Sequence, residues 1–437
     1  MKVLVLGSGG REHAIIWALR QTTGQPLELH CAPGNAGIAD LAKCSPISVD
    51  DHDGLIDLVK SESIDLTIVG PEAPLAAGIV DKFQRLGLPI AGPGAAASRL
   101  EASKAFAKDF MTRHQIPTAK YKVVRSASEV AEALKSGEFG TPNTTVVIKA
   151  DGLAAGKGVV IAKSHAEAER AAEQLIAGDG IDPDAAKRIV IEEALVGTEV
   201  SLLLFADGRN YVLMPAARDH KRIGEGDTGP NTGGMGAITD ASILTQEMLR
   251  RVVREVVEPT LAGARTEGLP FCGVLFLGLM LTSEGPMLLE YNVRFGDPET
   301  QAILVRLKTS LLDIFKATRT GRLDEITVEW SDESSACVVL ANRGYPDKYE
   351  KGAKIQGLEH VGNDERVRVF HAGTSISTAG EILAAGGRVL GVTSTGVTLE
   401  EALGHCYEAA QKISWEGMQY RRDIGKFAVV RGQAGNG

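Results

Sequence analysis

The stretch KVLVLGSGGREHA, at residues 2–14, begins with an apolar run, continues through a glycine turn and ends in an amphipathic segment. An apolar run bounded by glycines predicts a buried strand, and the amphipathic segment predicts a helix. Short apolar runs and amphipathic stretches keep alternating as far as about residue 100. Strands that alternate with helices favour a parallel sheet with crossover helices, so the expected fold class is α/β, with α+β character overall.

The glycine turn at residues 7–10 would leave backbone N–H groups free at the start of a helix, where they favour an anion. A nicotinamide or flavin dinucleotide fits poorly, because Glu12 stands at the third glycine position of that motif. The second predicted strand also ends in HCAPGN, without the acidic residue that binds ribose. A phosphate or another polar small molecule is the favoured ligand, and a tight turn without a ligand is the alternative.

Three domains are indicated by the rest of the pattern. A Gly/Pro turn leads into a long helical pattern within residues 91–114 and marks a boundary near Ala102, and a unit at about 123–195 has the size of a lid. Strands then form a larger body that a polar, glycine-rich loop at 219–237 interrupts, and the chain after Trp330 is mostly strand. The expected N-terminal parallel α/β domain, central domain and mixed C-terminal domain span residues 1–102, 103–327 and 328–437.

Composition and charge narrow the class of protein. The 437 residues carry a formal net charge of −9, which gives no general basic surface for nucleic acid or an anionic membrane. The five cysteines are odd in number and contain no CxxC pair, so neither a zinc site nor a redox motif is indicated. No apolar run reaches the roughly 18 residues of a membrane span, and no signal peptide precedes the first strand. We therefore expect a cytoplasmic protein without nucleic-acid or membrane partners.

A second glycine loop, DGLAAGKG at residues 151–158, follows a predicted strand that ends at Lys149. Only three residues separate its first glycine from the Gly-Lys pair, and Gly158 stands where a P-loop needs Ser or Thr. A P-loop NTPase is therefore disfavoured. A glycine-rich loop can still close over a triphosphate, and Lys157 would contribute positive charge to it.

The segment MLLEYN at residues 287–292 predicts a strand on which Glu290 and Asn292 point to the same face. Oxygen ligands at this spacing suit a magnesium ion that is shared with phosphate groups. A solvated strand face is the alternative for such a pair. The following residues, VRFGDPET, add Arg294 and Asp297 around a Gly/Pro turn, and this mixture of charges favours a site.

The segment RIVIEE places Glu192 and Glu193 at the end of a strand, just before a turn. Backbone groups at such a hinge could hold an adenine edge, and Glu199 could reach ribose hydroxyls. A charged strand end that faces water is an equally good interpretation of these residues alone. His13, His220 and His371 also lie in motifs, and each is expected to be a hydrogen-bonded structural histidine.

Seven motifs stand in one order along the chain. They are GSGGREHA from Gly7, GPEAPL from Gly70, EASKAFAKDF from Glu101, KADGLAAGKGV from Lys149, IEEAL from Ile191, DHKR with GDTGPNTGGMGA from Asp219, and EYNVRFGDPET from Glu290. In this order they resemble the phosphoribosylamine-glycine ligase family of the ATP-grasp superfamily, and the resemblance covers nearly the whole chain. The chain departs from the family pattern at Asn342, Arg343 and Val293, outside the predicted metal pair.

The resemblance implies an ATP-grasp fold with a biotin-carboxylase-like N-terminal domain, in which two sheets clamp ATP and the C-terminal domain closes the site. It implies ATP contacts for Lys104, Lys149, Ile191, Glu192, Glu193, Ala194, Glu199, Arg222 and Asn231. It implies phosphoribosylamine contacts for Gly9, Gly10, Arg11 and Glu72, with catalytic roles for Arg294, Asp297 and Lys157, of which Arg294 and Asp297 would also contact substrate. Glu290 and Asn292 would bind Mg²⁺ or Mn²⁺.

The reaction implied by the resemblance joins glycine to 5-phosphoribosylamine through glycyl phosphate, at the expense of ATP, in purine biosynthesis. Another ATP-grasp carboxylate-amine ligase or a carboxylase is the nearest alternative, because its ATP half would look similar. A nucleotide-binding regulator and a dinucleotide oxidoreductase are the alternatives from other classes. The expected assembly is a monomer or a small homo-oligomer.

Overall fold

The computed structural model describes five stretches of the chain, namely residues 1–21, 26–153, 158–178, 187–361 and 364–426. Lys157, which is predicted to act in catalysis, lies outside these residues. Within them, no helix combines the length and the apolar character that crossing a membrane requires.

The N-terminal domain contains a five-stranded sheet in which all neighbouring strands are parallel. Its strands are β1 (Lys2–Gly7), β2 (Glu28–Pro33), β3 (Lys43–Cys44), β4 (Leu66–Val69) and β5 (Ile90–Ala91). Its helices are α1 (Gly10–Gln21), α2 (His52–Glu62), α3 (Glu72–Ala76), α4 (Ile79–Arg85) and α5 (Ala95–Ala102). The strand order is β3-β2-β1-β4-β5, which confirms the predicted parallel α/β sheet.

The helical pattern within residues 91–114 forms two helices rather than one. After α5, the helix α6 spans Lys104–Arg113, and Ser103 between them has an extended backbone. The Ser103 hydroxyl accepts a hydrogen bond from Phe106 N at 3.1 Å and so caps α6. Periodicity alone does not reveal this break, because the capping hydrogen bond competes with the helix for the same backbone groups.

The lid is a four-stranded antiparallel sheet with helices packed on it. Its elements are β6 (Tyr121–Val124), α7 (Ala127–Lys135), β7 (Val146–Ala150), β8 (Val159–Ala162), α8 (His165–Ile176) and β9 (Ile189–Glu193). The strand order is β6-β9-β7-β8. Its apolar cluster draws on lid residues alone, among them Val130, Ile148 and Ile191. The lid therefore packs as a unit of its own.

A ten-stranded sheet forms the body of the molecule. The central elements after the lid are β10 (Thr198–Asp207), β11 (Tyr211–Leu213), β12 (Ala217–Asp219), β13 (Arg222–Gly224), β14 (Thr228–Asn231), β15 (Gly236–Thr239), α9 (Gln246–Val252), α10 (Glu258–Thr266), β16 (Cys272–Leu281), β17 (Pro286–Asn292), α11 (Glu299–Leu304) and α12 (Leu311–Thr320). The C-terminal elements are β18 (Ser334–Asn342), β19 (Ala353–Lys354), β20 (Val367–His371), β21 (Thr374–Ile376), β22 (Ile382–Ala384), β23 (Arg388–Gly396), α13 (Leu399–Ala410) and β24 (Met418–Gln419).

The body sheet joins the central and C-terminal parts of the chain. Its main order is β17-β16-β10-β12-β15-β18-β23-β20, with β11 beside β10 and β24 beside β18. The pairing of β15 with β18 continues the sheet across the predicted boundary at residue 328. Two shared cores also hold the N-terminal sheet against the body, one containing Leu4 with Leu204 and the other Val5 with Phe205. The three predicted domains are therefore closely packed, and their exact limits stay predictions.

The glycine-rich stretch at 219–237 is ordered secondary structure rather than the predicted loop. It contains the antiparallel hairpin β13–β14 between two strands of the body sheet. Gly226, Gly229 and Gly234 have positive φ angles, which residues with a Cβ rarely adopt. The backbone conformation therefore accounts for two glycines within the hairpin and for Gly234 just after it.

Candidate active site

A β-bulge in β17 sets the direction of the predicted metal pair. The ladder with β16 matches Glu290 to Gly278 and then shifts register by one residue at Leu289. Such an extra residue reverses the alternation of side chains along a strand. Leu288 is therefore buried in the core before the bulge and Tyr291 after it. The two members of the metal pair consequently lie on the same side, away from that core.

The Glu290 carboxylate faces a cluster of lysines. Burial acts to raise the pKa of Glu290, but the lysines more than offset burial and lower it. In order of effect they are Lys221, Lys149 and Lys104. Gly278 leaves room for the acidic side chain, because a Cβ at that position would lie 3.1 Å from the Glu290 Cγ. Glu290 is therefore an ionised carboxylate among cations that come from three different segments.

The donor set of Glu290 and Asn292 fits a divalent metal ion. Both side chains offer hard oxygen atoms, and the lysine cluster keeps Glu290 ionised. The Asn292 Oδ1 is oriented by Arg294, whose Nη2 donates a hydrogen bond to it at 3.2 Å. Two protein ligands are enough for a metal ion that also binds phosphate oxygens and water.

Lys149, on β7 of the lid, is held in place by Glu192 on β9. The Lys149 Nζ lies 2.8 Å from Glu192 Oε1, and the Lys108 Nζ of α6 lies 2.8 Å from the other carboxylate oxygen. All three side chains are buried. Burial lowers the pKa of Lys108 to about 8, although Glu192 opposes this effect. The Glu192 side chain thus positions Lys149, while the adenine contact of its backbone stays a prediction.

The other predicted hinge residues follow the end of the lid sheet. Ile191 is buried, Ala194 is half-buried and Glu193 is exposed. The Glu193 Oε1 accepts a hydrogen bond from Lys120 N at 2.7 Å. The exposed Glu199 begins the body sheet on β10. These residues lie where the lid sheet ends and the body sheet begins, and their contacts with adenine and ribose stay predictions.

Lys221, which has no predicted role, approaches the cluster more closely than Arg222 does. The Lys221 Nζ forms an ion pair with Glu199 Oε2 at 2.9 Å. Its positive charge also lowers the pKa of Glu290. Arg222 instead donates from Nη1 to Gly229 O at 2.7 Å, and Asn231 pairs with Arg222 in the hairpin ladder. The sequence offered one signal for choosing Lys221 over Arg222. Consecutive residues of an extended chain after β12 point to opposite sides, so only one of the two can face the site.

The start of the second glycine loop is attached to α6. The Lys104 Nζ donates a hydrogen bond to Gly152 O at 2.7 Å. The Asp151 carboxylate accepts hydrogen bonds from the Ser103 hydroxyl at 2.9 Å and from Ala105 N at 3.1 Å. Burial lowers the pKa of Lys104, against the nearby acidic groups. The same helix start therefore fixes both a phosphate-binding candidate and the base of the loop.

Arg294 links the end of β17 to the N-terminal domain. Its Nη2 lies 2.9 Å from Glu101 Oε1, and its Nε donates to Glu72 Oε2 at 3.2 Å. Glu101 also accepts a hydrogen bond from Val293 N at 2.7 Å. Burial raises the pKa of Glu101, whereas for Glu72 the effect of Arg294 and Arg11 exceeds that of burial and lowers the pKa. Arg294 thus brings two predicted substrate residues into contact, and Glu101 is an unpredicted third member.

Glu12 occupies the glycine loop after β1. Its carboxylate accepts a hydrogen bond from Gly9 N at 2.6 Å and another from Arg11 Nε at 2.6 Å. At Gly10, a Cβ would lie 2.6 Å from Gln301 Nε2, so a larger residue would have to displace the Gln301 amide. The Gly9 N–H is therefore engaged by a carboxylate, which further disfavours a dinucleotide at this loop.

Asp297 lies beside Arg388, a C-terminal residue without a predicted role. The Arg388 Nη1 is 3.3 Å from Asp297 Oδ1 and donates to the main-chain oxygens of Asp297 and Gly233, at 2.6 and 2.7 Å. Gln301 Nε2 also donates to Asp297 Oδ1, at 2.8 Å. Burial acts to raise the pKa of Asp297, but Arg388 and Arg11 more than offset it. The C-terminal domain therefore closes one side of the candidate substrate site.

Asp219 and Glu299 form a second acidic group near these residues. Burial raises the pKa of each, and for Asp219 the proximity of Glu299 adds to the effect. The Ser201 hydroxyl donates to Glu299 Oε1 at 3.1 Å. Within the described residues, the buried Asp219 Oδ1 has no hydrogen-bond partner. Both acids lie in quoted motifs, but only the folded sheet shows that they interact.

The three motif histidines are buried and make structural contacts. His371 N donates a hydrogen bond to His13 Nδ1 at 2.8 Å, which joins the N-terminal and C-terminal domains. Burial lowers the pKa of His13 to about 3 and that of His371 to about 4. His220 Nε2 accepts a hydrogen bond from Gly425 N at 3.1 Å, and burial lowers its pKa to about 4.

Solved structures share this architecture over nearly the whole chain. The crystal structure of phosphoribosylamine–glycine ligase from Thermotoga maritima has a TM-score of 0.83 and 37% identity, covering 97% of this chain and 100% of that one. The biotin carboxylase domain of the Hydrogenobacter thermophilus 2-oxoglutarate carboxylase, crystallised with MgADP and bicarbonate, has a TM-score of 0.69 at 16% identity, covering 96% and 91%. The second likeness concerns the fold alone, and it confirms the expected biotin-carboxylase-like architecture.

Sequence relatives and family models also match nearly the whole length of the chain. Proteins named phosphoribosylamine–glycine ligase from Xanthomonas axonopodis pv. citri and Brucella melitensis are 48% and 47% identical, covering 100% and 99% of this chain and 100% of each relative. The N, ATP-grasp (A) and C domain models of phosphoribosylglycinamide synthetase match residues 1–101, 102–300 and 335–427. The chain therefore belongs to the phosphoribosylglycinamide synthetase family of ATP-grasp proteins.

Proposed function

We propose that this chain uses ATP to join the carboxylate of glycine to the amine of 5-phosphoribosylamine. The products are N1-(5-phospho-D-ribosyl)glycinamide, ADP and phosphate, and the reaction belongs to purine biosynthesis. Full-length relatives with this activity in their names support the choice of substrates. The structural observation that carries the chemistry is the ionised Glu290, which faces lysines from the lid, from α6 and from the segment before β13.

The first step activates a carboxylate that does not react with amines at neutral pH. A glycine carboxylate oxygen forms a bond to the γ-phosphorus of ATP while the bond to the bridging oxygen breaks, giving glycyl phosphate and ADP. Phosphoryl transfer depends mainly on positioning and on neutralising charge. Lys104, Lys149 and Lys221 supply that positive charge, and the predicted Lys157 would add to it from the glycine loop.

The second step is attack by the amine of phosphoribosylamine on the glycyl carbonyl, with loss of phosphate and of one amine proton. Arg294 donates a hydrogen bond to Asn292 of the metal pair, and Asp297 lies beside Gly9 of the N-terminal glycine loop, which supports placing the glycyl group next to them. Gly9, Gly10, Arg11 and Glu72 are the proposed contacts of phosphoribosylamine. Closure of the lid would keep water from the acyl phosphate.

The three fully buried cysteines argue against an intermediate bound to their thiols. Burial raises the pKa of the Cys31, Cys337 and Cys406 thiols, so they are held as unreactive thiols rather than thiolates. A mechanism that relies on charge neutralisation needs no such nucleophile, which agrees with the lysine-rich site.

Glu290 and Asn292 would hold Mg²⁺ or Mn²⁺, the two metal ions that the sequence predicts. When bound, such an ion neutralises phosphate charge and orients the transferred group. The choice between the two ions, a cytoplasmic location and a monomeric or small oligomeric state stay predictions.

The proposal is tested by measuring ADP release with glycine and freshly prepared phosphoribosylamine together. We expect turnover only when both are present, with formation of the glycinamide product. Bicarbonate-dependent ADP release without glycine would instead identify a carboxylase and overturn the proposal. The relatives favour the ligase, because the carboxylase likeness is confined to the fold.

A further inference from the structure

Arg421 lies in the segment that follows β24, distant in sequence from the active-site motifs, and its guanidinium group is fully buried. Its side chain is only 1% exposed. Nε and Nη2 donate to the two Asp423 oxygens at 2.8 Å each. Nη1 donates to Asp227 Oδ1 at 2.8 Å and to Arg222 O at 3.0 Å. A buried guanidinium needs such a complete set of partners, so its geometry is tightly restricted.

The same segment holds both chain neighbours of Lys221. On one side, Arg421 binds the main-chain oxygen of Arg222. On the other side, Gly425 N donates to the imidazole of His220 at 3.1 Å. The residues before and after Lys221 are therefore fixed by two points of one C-terminal segment.

The tip of the β13–β14 hairpin is attached to this segment as well. Gly226 N donates to Asp423 Oδ2 at 2.8 Å, and Arg422 N donates to Glu225 Oε1 at 3.1 Å. Together with the bond between Arg421 and Asp227, these contacts restrain the whole hairpin. Hydrogen bonds therefore tie the start and the turn of the hairpin, and both chain neighbours of Lys221, to residues 421–425.

We propose that Arg421 is a positioning residue for ATP, which acts by holding Lys221 against the phosphate end of the site. This inference rests on the proposed function only in assigning ATP phosphates to the lysine cluster. The Lys221 ammonium group pairs with Glu199 at 2.9 Å, and its charge also acts on Glu290 of the predicted metal pair. A small displacement of such a group costs much of its effect on a bound phosphate.

The test is a double-mutant cycle that measures binding of a non-hydrolysable ATP analogue with Mg²⁺ by calorimetry. Arg421→Lys keeps the charge but loses the forked geometry, and we expect it to weaken binding about tenfold. In a Lys221→Met background the same substitution should change binding less than twofold, because its target is gone. Equal losses in the two backgrounds, or no loss in the wild-type background, would overturn the proposal.

Two further variants keep the test interpretable. Arg422→Lys is the matched control, because the neighbouring arginine side chain is exposed, and its analogue affinity should equal that of the wild type. Asp227→Ala removes the acceptor on the hairpin side of the arrangement, at a half-exposed position that folding tolerates better. It should weaken binding in the same direction as Arg421→Lys and also become silent without Lys221; a wild-type affinity would count against the proposal. Since no glycine or phosphoribosylamine is added, failure of the proposed ligase reaction would leave this result unaffected.

Discussion

The lid sheet and the body sheet both contribute charged side chains to the candidate ATP site, but they are anchored in different ways. The body shares its cores with the N-terminal domain and its strands with the C-terminal domain. The lid has a separate apolar core made of its own residues. Glu290 and Lys221 therefore stand on the well-anchored side, and Lys149 stands on the side that is suited to move.

The two sides meet at the bulge of β17, which is an edge strand of the body sheet. Leu288 N donates to Pro117 O at 2.8 Å, and the Thr118 hydroxyl donates to Leu288 O at 2.6 Å. The bulge that directs Glu290 into the site thus lies beside the chain that enters the lid. The same short stretch of β17 therefore directs Glu290 into the site and contacts the chain that enters the lid. The candidate metal site and the lid hinge consequently depend on one bulge.

The largest expected effect comes from breaking the body side at Glu290. Glu290→Gln keeps the shape but removes the negative charge, so the metal ligand is weakened and ADP release should fall about 10³-fold. The reaction is followed with both substrates at saturation. Glu284→Gln, at an exposed position in the turn before β17, is the control and should behave as the wild type. Turnover within a few-fold of wild type for Glu290→Gln would remove Glu290 from the metal site.

Breaking the lid side should cost less and should act on ATP affinity. Lys149→Met removes one of the cations, and we expect kcat/KM for ATP to fall about 10²-fold, mostly through a higher KM. Lys163→Met changes an exposed lysine of the same lid and serves as the control. A loss confined to kcat, with KM for ATP unchanged, would place Lys149 in the chemical step instead.

A smaller effect is expected when Lys149 is kept but its anchor is changed. Glu192→Gln removes the carboxylate that two buried lysines share, which should lower the pKa of Lys108 below its present value of about 8. The lid should lose about 3 kcal/mol of local stability, and kcat/KM for ATP should fall about tenfold. Amide hydrogen exchange would detect the change as faster exchange in β7 and β9. Equally faster exchange in β10 would contradict the separation of lid and body.

The smallest expected effect is a fall in the free energy of unfolding at lower pH, caused by two buried histidines. His13 and His371 stay neutral in the folded protein because burial lowers each pKa, to about 3 and about 4. The unfolded chain takes up their protons near pH 6.5, so stability falls as pH drops through that value. Between about pH 7.5 and 6.0 the loss is about 0.8 kcal/mol for each histidine.

Urea unfolding at the two pH values measures this loss. Tryptophan fluorescence follows the contact between the N-terminal and C-terminal domains, because Trp17 packs against Phe370. His13→Gln should remove about half of the pH dependence that the pair causes. An unchanged pH dependence would show that the imidazole of His13 titrates normally in the folded protein.

Local sequence patterns were sufficient to predict the elements whose burial follows directly from the spacing of their apolar residues. The N-terminal strands are predictable because apolar runs are buried on both faces of a parallel sheet. The break at Ser103 and the β13–β14 hairpin were not predicted, since each depends on a capping hydrogen bond or a turn conformation rather than on periodicity.

Periodicity and motif order are enough to predict the parallel N-terminal sheet, a lid and the residue types of the candidate site. The tertiary structure alone decided that Lys221 rather than Arg222 approaches Glu290, that Glu101 joins Arg294, and that Arg421 holds the hairpin. These contacts join residues that are distant in the chain, so the register of the body sheet and its bulge select them, and no local pattern encodes that selection.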